Sequence, residues 1–133
     1  MSEFVLVIAN KAYSSWSMRP WLAMVHFGIP FSEIVIPLRQ ADTASRIADH
    51  SPTGKVPVRQ HGARVIWESI AILEYLAEQR PNEAMWPRDP SARALARSVA
   101  AEMHAGFQAL RQNQPMNVRV EKPGRALTPE VEK

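Results

Sequence analysis

Six consecutive apolar residues, Phe4-Val5-Leu6-Val7-Ile8-Ala9, constrain the fold of this chain more than any other segment. The run is rich in β-branched side chains and has no polar alternation. It therefore reads as a strand buried on both faces, the pattern of a parallel sheet with helices above and below. A parallel neighbour requires a crossover, and the residues that follow supply one.

Residues 10–17 break the apolar pattern, after which Trp21, Leu22, Met24, Val25 and Phe27 form a broad helical face that Gly28 closes. The expected helix spans residues 17–27, with Ser17 as its cap so that Pro20 falls in the first turn. Ile29-Pro30 turns the chain into a second strand within residues 31–38, where Ile34 and Ile36 share one face and Val35 takes the other. Residues 39–53 are polar and alanine-rich, consistent with a short irregular helix. Residues 55–60 and 64–67 read as an antiparallel pair joined through His61-Gly62-Ala63. Ser69 is then expected to cap a helix with Ile70, Leu73, Leu76 and Ala77 on its core face, ending before Arg80-Pro81. The sum is an α/β domain of order βαβ-ββα.

A second unit follows a proline-dense linker. Asp89 and Pro90 are a cap and first helical residue, and Leu95, Val99, Met103, Phe107 and Leu110 recur at helical spacing, predicting one long amphipathic helix over residues 90–112. The expected partition is a first domain over residues 1–80, a linker over 81–90, and the start of an all-α domain over 91–133. At Thr128-Pro129-Glu130 a fresh helix-start signal has only three residues behind it, which reads as a chain cut short.

Composition excludes several kinds of chemistry. With no cysteine there is no disulfide, thiolate metal site or CxxC redox motif, so any sulfur chemistry uses a ligand's thiol. His26, His50, His61 and His104 lack paired ligand spacing, and no metal is expected. The net charge of +3 comes from scattered arginines, which argues for anionic small ligands rather than nucleic acid. No apolar run is long enough to cross a membrane, and a cytoplasmic location is the default expectation.

The motifs resemble those of the glutathione transferase superfamily, over the first domain and the opening of the second. Ser14-Ser15-Trp16-Ser17-Met18-Arg19 is similar to the serine-cysteine motif of the zeta class, with Trp16 where that class has cysteine. Lys55-Val56-Pro57 resembles the family's cis-proline element, and Trp67-Glu68-Ser69-Ile70 its acid-serine turn. The resemblance implies a thioredoxin-like domain ahead of an all-helical one, glutathione as co-substrate, and a homodimer. Ser14 is implied as the hydroxyl that stabilises the thiolate, with Ser15 its rival. Ser17, Lys55, Val56, Pro57, Glu68 and Ser69 are implied in holding the tripeptide, and Gln108 and Arg111 in meeting a small hydrophobic electrophile. Read without the resemblance, the serines more readily cap and turn the chain than bind a ligand, and Lys55 has two even alternatives, a ligand carboxylate or water. The implied function is glutathione transfer; the alternatives are a non-catalytic interaction module or a fragment that binds but turns over little.

Overall fold

The structure, a computed structural model, describes residues 4–132. The first three residues of the expected first domain, and Lys133 of the second, lie outside them. The elements run β1 (Phe4–Ile8), α1 (Ser15–His26), β2 (Ser32–Val35), α2 (Thr43–Ala48), β3 (Val58–His61), β4 (Arg64–Trp67), α3 (Ser69–Gln79), α4 (Pro90–Ala105), α5 (Gln108–Asn113) and α6 (Pro129–Glu132). The sheet order is β2-β1-β3-β4; β1 is parallel to β2 and antiparallel to β3, which pairs antiparallel with β4. This is the βαβ-ββα order expected from the apolar pattern.

Strand β1 is buried on both faces, as its unbroken apolar run requires. Leu6 and Ile8 join Met24, Ile72 and Leu76 beneath α1 and α3, while Val7 faces the other way onto Ile36, Ile47 and Val58 beside α2. Each fully buried aliphatic side chain of this kind contributes about 1.5–3 kcal/mol.

Helix α1 starts earlier than its apolar face indicates. Ser14, not Ser17, is the cap: the Ser14 side chain accepts from the Ser17 amide, and Ser17 lies inside the helix, fully buried. Pro20 consequently sits in the helix interior, packed in the core. The cap wins because it satisfies a first-turn amide that would otherwise be orphaned. At the far end Gly28 takes φ 60, while Ile29 donates to the Met24 carbonyl and Gly28 to that of Val25. That is the glycine-terminated helix end the sequence predicts.

Two further expectations are corrected. Ser69 is the first residue of α3 and makes no cap; Glu68 holds the cap position with φ 67. The buried stripe of α3 is accordingly Ser69, Ile72 and Leu76, with Ile70, Leu73 and Ala77 half-buried beside it. The single long helix is two, because Gly106 leaves helical geometry and Phe107 adopts a left-handed conformation between α4 and α5. The Asp89 carboxylate does cap α4, accepting from the Ala92 amide at 2.7 Å. The apolar stripe of α4 stays exposed, Leu95 most of all at 65%.

Arg59 of β3 is fully buried on the α1/α3 side of the sheet, and its guanidinium nitrogens have no hydrogen-bond partner among the described residues. Its guanidinium lies between aromatic rings, 3.7 Å from the Phe4 centroid and 4.6 Å from that of Tyr75. Burial lowers its pKa to about 10, with Tyr75 opposing the shift.

Candidate functional site

The loops at one end of the sheet converge on a cleft of about 450 Å³. Ser14 and Trp16 come from the start of α1, Lys55, Val56 and Pro57 from the segment entering β3, and Glu68 and Ser69 from the turn into α3. Residues far apart in sequence thus meet because β1, β3 and β4 are neighbours.

The Ser14 hydroxyl is held by what lies beneath it. Ser14 Oγ donates to Ser17 Oγ at 2.9 Å, and Ser17 Oγ accepts the Ala9 amide at 3.0 Å. Ser17 is therefore buried under the cleft floor, its hydroxyl spent on Ser14 and on Ala9 just after β1, with no surface to offer a ligand. The Ser14 carbonyl takes the Met18 amide and its side chain the Ser17 amide. This leaves the Ser15 and Trp16 amides as first-turn donors that the helix does not use.

The Val56–Pro57 peptide is cis. Upstream, the buried Ser51 hydroxyl accepts the Thr53 and Lys55 amides at 3.4 and 3.2 Å, fixing the approach to Pro57, while the Lys55 side chain stays exposed. Across the cleft, Glu68 occupies the left-handed region that non-glycine residues seldom adopt. Such backbone outliers concentrate at functional sites. Its carboxylate is half exposed, whereas the neighbouring Ser69 hydroxyl is buried with no hydrogen-bond partner among the described residues.

A second cavity, about 410 Å³, adjoins the first and shares Ser14 and Trp16 with it. Ser15 and Arg111 line only this one, so of the two rival serines Ser14 alone faces both cavities. Arg111 is anchored by donating to the Met103 and Gly106 carbonyls at 2.6 and 3.0 Å, and it lies over the Trp16 ring at 4.5 Å. Arg19 covers the same indole at 4.1 Å, its pKa lowered by burial and then by the Arg111 charge. Gln108, expected beside Arg111, is exposed at the start of α5 and lines neither cavity, because the break at Gly106 and Phe107 turns it outward.

Sequence reasoning missed Trp16 as the shared wall, and considered His104 only as a metal ligand, not as a residue of this site. His104 Nε2 lies 3.3 Å from Glu68 Oε2, and its ring meets Trp16 edge-on at 5.0 Å. No motif or periodicity marks a single histidine near the end of an amphipathic helix. Among the described residues no group of acidic and histidine side chains is arranged to hold a metal, and no helix is long and apolar enough to cross a membrane.

Strand order, cis-proline and the acid-serine turn around one cleft define the thioredoxin-like class of α/β domain, followed here by helices. Residues 13–79 match the family model described as glutathione S-transferase, N-terminal domain. The chain belongs to the glutathione S-transferase family. It is 33% identical over 110 residues to a probable maleylacetoacetate isomerase of Caenorhabditis elegans, covering 83% of this chain and 51% of that protein. It is 33% identical over 82 residues to a glutathione S-transferase of Pseudomonas putida, covering 62% and 36%. A Burkholderia glutathione transferase homolog, solved with bound glutathione, superposes with TM-score 0.72 at 29% identity, covering 85% of this chain and 62% of that one. The chain spans about half the length, or less, of these curated relatives.

Proposed function

We propose that this chain binds glutathione in the 450 Å³ cleft and holds its sulfur as the thiolate, as the tripeptide-binding part of a glutathione transferase. The observation that carries the reading is the buried Ser69 hydroxyl, without a hydrogen-bond partner among the described residues, lining the same cleft as Ser14, cis-Pro57 and Glu68. A buried hydroxyl without a partner is costly, and a ligand carboxylate at the start of α3 supplies the missing acceptor. Glu68 beside it takes the ammonium of the same γ-glutamyl group. The main chain at Val56 pairs with the ligand's peptide like an added strand, and exposed Lys55 meets the glycine carboxylate.

A free thiol with a pKa near 8.5 is mostly protonated at neutral pH. One charge-assisted hydrogen bond from Ser14 contributes about 1.5–3 kcal/mol and the α1 terminus about 0.3–1 kcal/mol. At 1.36 kcal/mol per pKa unit these lower the thiol to about 6–7, which is sufficient. For Ser14 to donate to sulfur, its proton must leave Ser17. The two hydroxyls then exchange roles, Ser17 donating to Ser14 while still accepting from Ala9, and the resulting chain of hydrogen bonds reinforces the donor.

The thiolate attacks a small, largely apolar electrophile held in the cavity of Ser15, Trp16, Leu110 and Arg111, forming a carbon–sulfur bond as the carbon–halogen bond of an aryl halide breaks and halide departs. Since Ser14 borders both cavities, sulfur and electrophile meet at its hydroxyl. A homodimer and a cytoplasmic location belong to the same proposal. Conjugation of a chromogenic aryl halide tests the reading: activity that falls sharply in Ser14→Ala supports it, and activity indifferent to that change overturns the role of Ser14.

A further inference from the structure

We infer that His104 is a positioning residue for the Glu68 carboxylate, so that α4 controls how tightly the γ-glutamyl ammonium is held; this rests on the glutathione reading above.

The contact joins elements distant in sequence. His104 lies in the last turn of α4, and its Nε2 is 3.3 Å from Glu68 Oε2, at the residue whose backbone is held at φ 67. The ring is fixed on its other side by Trp16, edge-on at 5.0 Å. His104 Nδ1 is buried and has no hydrogen-bond partner among the described residues. That asymmetry selects the role of each nitrogen. A neutral ring donating Nε2–H to Glu68 leaves Nδ1 as a bare acceptor, whereas an imidazolium would bury an N–H with nothing to receive it.

Charges of both signs face the ring: the Glu68 carboxylate from the turn into α3, and the guanidiniums of Arg19 of α1 and Arg111 of α5, both stacked on the Trp16 indole. In the neutral state the histidine orients the carboxylate and leaves its full charge for the ligand's ammonium. Protonation neutralises that charge and repels the ammonium. Histidine is the side chain whose charge ordinarily changes between about pH 5 and 8; the γ-glutamyl ammonium, held up by the free carboxylate on the same carbon, and both carboxylates of the tripeptide keep their charges across that window.

The test is calorimetric titration of the whole chain with S-methylglutathione, whose blocked sulfur removes the thiol from the pH profile. Between about pH 8 and 5.5 the unmodified chain is expected to lose affinity roughly tenfold. His104→Gln, which keeps an N–H donor but cannot be charged, is expected to bind within about threefold of it at pH 8 and to give a flat profile. His104→Ala is expected to bind about 3–10-fold more weakly at pH 8, as the loss of a neutral hydrogen bond implies. An analogue lacking the α-amino group should ignore all three changes. Coincident pH profiles for the unmodified chain and His104→Gln overturn the inference alone. No binding by the unmodified chain at any pH overturns the glutathione reading, and this inference with it.

Discussion

The hydroxyls of Ser14 and Ser17 lie 2.9 Å apart, one at the mouth of the cleft and the other fully buried beneath it. Ser17 simultaneously accepts the Ala9 amide of the strand end, so the exposed serine is tied to the sheet through the hidden one. Ser17→Ala therefore orphans a buried amide and frees the Ser14 rotor. Thermal or denaturant unfolding should show a loss of about 1–3 kcal/mol. Reactivity of bound glutathione should fall too, but less than in Ser14→Ala, which removes the donor itself.

Ser69→Ala separates a ligand contact from a helix cap. The Ser69 hydroxyl makes no cap and is buried without a hydrogen-bond partner among the described residues, so removing it should leave the melting temperature of the free protein unchanged or slightly raised. Glutathione affinity should nevertheless fall roughly 10–100-fold, corresponding to about 1.5–3 kcal/mol for a hydrogen bond to a charged group. A capping role would give the reverse, a stability loss of about 0.5–2 kcal/mol with affinity intact.

Glu68→Gln retains shape and removes charge. Affinity for glutathione should fall by a similar 10–100-fold. The analogue without its α-amino group should bind unmodified and variant chains alike, and paired titrations of the two ligands check this.

Arg59 is a predicted weak point of the fold. Arg59→Met should raise stability by on the order of 1 kcal/mol, since a buried charge with no hydrogen-bond partner among the described residues gives way to an apolar side chain of similar reach, with the lost stacking on Phe4 and Tyr75 offsetting part of the gain. The pH dependence follows from the lowered pKa of about 10. The unfolded chain holds this proton more tightly than the folded one, so the penalty is fully present below about pH 10 and shrinks as pH rises toward the ordinary arginine range. Denaturant midpoints of the two proteins should accordingly converge at alkaline pH.

The first-domain architecture was legible because its signals are local: the unbroken run of β1, the glycine ending α1, and the Gly-containing hairpin link between β3 and β4. Helix starts were less so. Ser14, Ser15 and Ser17 are equivalent on paper, and only the tertiary bond from Ala9 makes Ser17 an interior residue. Likewise the stripe of α3 shifted because Glu68 adopts a left-handed backbone that no propensity predicts. Gly106 was readable as a helix breaker inside the long apolar repeat, but the repeat outweighed it. His104 could not be found from sequence, since its importance arises from packing α4 against the turn into α3.

The chain has no thiol of its own, and in the proposed function a borrowed one becomes anionic at Ser14. The most direct test is titration with glutathione while following ultraviolet thiolate absorbance across pH. The account predicts saturable binding with the bound thiol ionising at about pH 6–7, returning toward its free value near 8.5 in Ser14→Ala. Binding with an unshifted thiol in the unmodified chain, or no binding at millimolar glutathione, would contradict it.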